Sequence, residues 1–315
     1  MYNIIKRRYW YFALSGLVIV PGLVAMVIST MQFGTPLRLG IDFTGGTIQE
    51  LRFDQPIQPG PVREVFVRLG YTDTVVQTSG DNQTAVIRSK FLDDQAKVQV
   101  QSQLRTDIGP FTERSFDAVG PSIGGEVTQA ASTAVIAAAI ALLVFIWFAF
   151  RKVPNPFRYG VCAIIAMIHD LLVVTGLFSL FGLLFGWEAD SLFLTAVLTV
   201  IGFSVQDTIV VFDRIRENTP KRRGETYLTI VNRSLLETIV RSLSIQLTAV
   251  FVLASILMFG GATIMQFVTV LLIGMLSGTY SSLFNAVPLL VVWEQGEVGA
   301  FLRRLFRRPA QASAS

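Results

Sequence analysis

Six long apolar runs and one polar interval make up the hydropathy pattern of this chain. The runs cover residues 9–30, 128–150, 159–185, 191–212, 235–259 and 264–293. Each reaches the ~20 residues that a helix needs to cross a bilayer, so the pattern predicts six transmembrane helices. Lys6, Arg7 and Arg8 precede the first run, which is long for a signal-peptide core and is followed by no A-x-A cleavage pattern. It reads as an uncleaved membrane helix, kinked at Pro21-Gly22, with its N-terminus inside. Alanines 130, 134, 137, 138 and 141 give the second run a smooth packing face.

The polar interval, residues 32–126, alternates differently. Residues 47–53 (TIQELRF) have the period of a strand. Pro59-Gly60-Pro61 introduces a short helix over residues 62–69. Residues 74–78 and 84–89 read as two strands joined by a hairpin at Ser79-Gly80-Asp81-Asn82. Asp93 or Asp94 caps a second helix that ends at Gly109-Pro110, and residues 113–119 form the last strand. This β-α-β-β-α-β order predicts a ferredoxin-like α+β domain. It carries no catalytic constellation, so it reads as a binding or contact module.

The predicted organisation is therefore an N-terminal inside segment with the first membrane helix (1–31), an extracytoplasmic α+β domain (32–126), helices two to six (127–297) and a basic cytoplasmic tail (298–315). Charge fixes the orientation. Of the 26 Lys and Arg, 16 fall at inside ends or loops, 9 in the long outer domain and 1 within the membrane. Short outer connections carry none, so both termini are placed inside. Residues 214–233 hold six basic residues and read as an inside loop or an amphipathic surface helix.

Composition narrows the class. The chain is 52% hydrophobic and 15% charged, with a mean hydropathy of +0.55, which describes an integral membrane protein. A net charge of +4 does not point to nucleic acid, because the basic residues cluster at helix ends. Cys162 is the only cysteine and His169 the only histidine, so disulfides, thiolate metal sites and multi-histidine metal sites are excluded.

Candidate chemistry lies where charge enters an apolar run. Asp207 sits inside residues 191–212 and about 10 Å of helix deeper than Arg214, at ~1.5 Å per residue. A charged group there costs roughly 2.5–3.5 kcal/mol on insertion scales, so it faces a partner or a watered path. Two readings stay open: a neutral carboxyl hydrogen-bonded between helices, or a proton-binding site. Arg241 reaches a similar depth on the next run and needs an anion or carbonyls. Asp207 is the obvious anion; snorkelling to the interface or pairing with Glu237 are the alternatives. Ser244 and Thr248 share the helical face of Arg241, and Ser204, Gln206, Thr208 and Val211 flank Asp207, which suggests a polar seam. His169-Asp170 is either a second carboxylate on that path or a local pair in the bundle. Gly274, Gly278 and Ser282 form a small-residue stripe suited to close helix packing. The G-x-G-D motif of intramembrane aspartyl proteases is absent.

Three stretches carry a family likeness: GIDFTGGT (40–47), VGPSIGGEV (119–127) and GFSVQDTIVVFDRIREN (202–218). With them the chain resembles the SecF family, the smaller half of SecD–SecF protein-export complexes in the RND transporter superfamily. The resemblance implies an RND half-transporter fold and a bacterial inner-membrane location. It also implies a proton pathway through Asp207 and Arg241, with a second aspartate supplied by SecD. The implied partners are SecD, the Sec channel, translocating polypeptide and lipid; protons serve as coupling ion, and no other cofactor or metal is implied. The family often has Asn where this chain has Gln206, an amide-for-amide change. A proton-coupled half-transporter for small substrates and a passive scaffold are the competing readings.

Overall fold

The computed structural model describes residues 3–79, 82–151 and 155–296. In chain order the elements are α1 (Arg8–Phe33), α2 (Ile41–Thr44), β1 (Gly46–Phe53), α3 (Pro59–Arg68), β2 (Val75–Ser79), β3 (Thr84–Ser89), α4 (Asp94–Asp107) and β4 (Phe111–Val119). Helices α5 (Pro121–Phe150), α6 (Pro156–Phe185), α7 (Ser191–Lys221), α8 (Tyr227–Phe259), α9 (Ala262–Ser281) and α10 (Val287–Glu294) follow, with a π-helical stretch at Ser282–Ala286. Two compact units result. A mixed unit holds Leu39–Ala134 and Glu188–Ser191; a helical unit holds Met1–Arg38, Val135–Trp187 and the chain from Leu192 on.

In the mixed unit the strands run antiparallel in the order β2-β3-β1-β4. Alternation turns Thr47, Gln49, Leu51 and Phe53 of β1 to the buried side. There Leu51, Phe53, Ile87 and Phe111 meet Val62 and Phe66 of α3 and Leu104 of α4. Asp93 caps α4 by accepting from the Ala96 amide at 2.8 Å. All four predicted strands and both predicted helices form, with ends shifted by a few residues. The hairpin tip, residues 80–81, lies outside the described residues, as do Lys152 and the basic tail with Arg303, Arg304, Arg307 and Arg308.

Among the described residues six helices are long and apolar enough to cross a membrane, from Ile5–Phe33 to Ile264–Glu294. The first runs unbroken through Pro21. Glycines let these helices close up. A Cβ on Gly22 of α1 would lie 2.8 Å from the Gly176 Cα of α6, and one on Gly278 of α9 would lie 3.3 Å from the Ser204 Cα of α7. The small-residue stripe on α9 is thus a packing surface. The loop expected over residues 214–233 is shorter than that: α7 continues to Lys221 and α8 starts at Tyr227, which leaves residues 222–226 as the connection, bridged by the Arg214–Glu237 and Arg233–Glu225 ion pairs. In contrast, α5 and α8 leave long apolar faces uncovered, with Ile140, Trp147, Val240 and Phe251 exposed.

Candidate functional site

Helix α7 turns Ser204, Asp207, Thr208 and Val211 into the helical unit. Asp207 is only 4% exposed. Its Oδ2 accepts a hydrogen bond from Gln246 Nε2 of α8 at 2.8 Å. The other end of that amide, Gln246 Oε1, is buried without a partner. A carboxylate offers about four acceptor sites, so Asp207 is sparsely bonded for its depth.

The expected ion pair with Arg241 is not formed. On α8 the residues facing inward are Thr238, Ser242 and Gln246, at i+4 spacing. Arg241 is one position, about 100° around the helix, from Ser242 and points outward. It lines an opening of about 330 Å³ with Asp213, Arg214, Glu217 and Glu237. Glu237 does not take Arg241 either; it accepts from Arg214 Nε at 2.6 Å and Asn218 Nδ2 at 2.9 Å. Ser244 and Thr248 stand on the same exposed side and donate to their own helix carbonyls, Val240 O and Ser244 O. Gln206 is exposed as well. The polar seam between α7 and α8 is therefore made on the α8 side by Thr238, Ser242 and Gln246 in place of Arg241, Ser244 and Thr248.

A second polar cluster surrounds Asp170 of α6. This carboxylate is 1% exposed and has four donors. Ser204 Oγ of α7 and Ser281 Oγ of α9 donate to Oδ2 at 2.5 and 2.7 Å. Ser277 Oγ and His169 Nδ1 meet Oδ1 at 2.6 and 3.0 Å. Thr208 continues the network to Ser282 Oγ at 2.8 Å. His169 Nε2 is buried without a partner, and its ring stacks on Tyr280. Ser277, Ser281 and Gln246 escape a reading of charge alone, since they are neutral residues in apolar runs. Their signal is the i+4 spacing that Ser277 and Ser281 share. Among the described residues no group of three or more His, Cys, Asp or Glu could hold a metal ion.

Comparison with known proteins decides the family. Residues 99–296 match the family described as protein export membrane protein SecD/SecF, C-terminal, and residues 31–57 match the SecD/SecF GG motif. The protein translocase subunit SecF of Anaerolinea thermophila is 47% identical over the whole of both chains, and that of Thermobaculum terrenum 46%. The chain belongs to the SecF family. A crystal structure of SecDF, a translocon-associated membrane protein from Thermus thermophilus, superimposes with a TM-score of 0.77 at 27% identity. It covers 93% of this chain, and this chain spans 39% of that one. As a SecF-family chain it is a protein translocase subunit of the membrane, and the SecDF likeness points to SecD as its partner.

Proposed function

We propose that this chain is the SecF half of a proton-gradient-driven export motor in the bacterial inner membrane, with both termini cytoplasmic. With SecD it assists the movement and release of polypeptides at the Sec channel, without a hydrolytic step of its own. The observation that carries this reading is Asp207: a buried carboxyl within an apolar helix, with one side-chain donor and an unpaired amide oxygen beside it. Such a group has room for a proton, and among the described residues no cation is paired with it. A proton falling through 100 mV supplies ~2.3 kcal/mol, enough to bias a two-state packing.

Arg241, Ser244 and Thr248 form one exposed stripe on α8. An arginine facing lipid is costly, so this stripe faces the SecD half, where a second aspartate takes Arg241 as its cation. Asp170 and its serines then fix the packing of α6, α7 and α9 around the moving proton. The strand order β2-β3-β1-β4, with both helices on one face, supports a ferredoxin-like outer domain that engages emerging polypeptide.

Asp207→Asn tests the reading in membranes that also contain SecD and the channel. Export per assembled complex should lose its dependence on the proton gradient, with assembly unchanged. Full gradient dependence in that variant would leave only a scaffold.

A further inference from the structure

The glycine-rich stretches 40–47 and 119–127 have no part in the proton site, yet in the mixed unit they meet at the four-residue helix α2. On one side, α2 holds the start of α7. Gly40 N–H donates to Ala189 O at 2.7 Å. Asp42 Oδ2 accepts from both the amide and the hydroxyl of Ser191, at 2.8 and 2.6 Å. Arg88 of β3 pairs with Glu188 in the same segment. Ser191 is the first residue of α7, so Asp42 supplies from a distant stretch what an N-cap side chain supplies locally, with its charge at the positive end of the helix dipole.

On the other side, α2 holds the start of α5. Thr128 Oγ1 lies 2.9 Å from Gly124 O of its own helix and 3.2 Å from Phe43 O, between which it shares its proton. A Cβ on Gly124 would lie 2.8 Å from Gly45 N, and one on Gly45, which has φ +71°, 2.9 Å from the Pro121 Cα. Only glycines allow this approach. The joint therefore grips two membrane helices by their ends, and one of them carries Asp207. Helix α7 is continuous from Ser191 to Asp207, about 24 Å at ~1.5 Å per residue, so a shift at either position is carried to the other.

We propose that Asp42 is a positioning residue that ties the sheet domain to the proton-binding helix, so that proton-driven movement of α7 reaches that domain. The proposal rests on the motor reading of Asp207. It is tested in membranes holding the SecD half and the channel, with export per assembled complex measured with the gradient intact and collapsed. Asp42→Ala should bring the gradient response down to the level of Asp207→Asn, and the double variant should be no worse than Asp207→Asn alone, as for two steps of one path. Asp42→Asn, which keeps an acceptor oxygen, should restore most of the response. Amides of the first turn of α7 should exchange with deuterium roughly fivefold faster in Asp42→Ala, as a lost N-cap predicts.

A gradient response that survives Asp42→Ala while Asp207→Asn abolishes it overturns the link alone. A response that survives Asp207→Asn overturns the motor reading and the link with it. Lower assembly of Asp42→Ala with an unchanged response per complex, or unchanged exchange at residues 191–194, reduces Asp42 to a structural contact and also overturns the proposal.

Discussion

Two buried carboxyls on neighbouring helices have opposite surroundings. Asp170 is held by three serine hydroxyls and His169, so its oxygens are filled. Asp207 accepts from Gln246 at 2.8 Å, with the buried Ser242 hydroxyl as its other side-chain neighbour on α8. Asp170→Ala should cost about 1–3 kcal/mol in thermal unfolding of the purified complex, the usual penalty for stranded buried donors. The loss stays near that of one group because the serines can fall back on helix carbonyls, as Ser281 can with Gly278 O, 3.2 Å from its Oγ. Arg241→Ala should behave in the reverse manner. The side chain is outside the packed interior, so the melting temperature should hardly move, while gradient-dependent export falls. A large drop in melting temperature would instead make Arg241 a structural residue of this chain.

At the level of elements, close approach between glycines sets the helix contacts. Gly176→Ala places a methyl group against the Gly22 backbone of α1, where no side chain can yield. Overpacking of that kind costs about 1–3 kcal/mol, and a thermal melt of the purified complex would show it. Gly160→Ala, whose Cβ would meet Ile146 Cγ2 at an ordinary 3.7 Å, should melt like the parent. Much of this level was legible in the sequence. Hydropathy gave all six spans and period-two alternation gave β1, because both reflect burial of whole faces, while turn residues marked off β2 to β4. What escaped were contacts that depend on rotation about a helix axis. Spacing along the chain puts Arg241 near the depth of Asp207, but Asp207 meets Gln246, five residues or ~7.5 Å farther along α8, while Arg241 lies beside Arg214 and Glu237. Whether Asp207 and Arg241 share a face depends on how α8 turns against α7, and that is set by Thr238, Ser242 and Gln246 burying themselves instead. Helix α2 escaped because four residues carry no periodicity, and its glycines make sense only beside Pro121 and Gly124.

At the scale of the whole molecule, the helical unit is unfinished. Only 6% of the most apolar window of α8 is buried within this chain, against 50% or more for α6 and α7. Lipid satisfies the apolar part of that exposure, including Val240, Leu247 and Phe251. It does not satisfy Arg241, which stands in a row with Ser244 and Thr248 on the same helix. The Thermus SecDF chain, of which this one spans 39%, has the extra length to cover such a face. A photoactivatable residue at Thr248 should therefore cross-link to the SecD half when the two are expressed together. The same residue at Leu17, on the exposed apolar side of α1, should give mainly lipid adducts. Equal yields of the protein adduct at both positions would mean that α8 faces lipid, and Arg241 would then have to find its anion within this chain by rotating α8. That rotation would break the Gln246–Asp207 hydrogen bond, so the cross-link also reports whether the arrangement around Asp207 survives assembly.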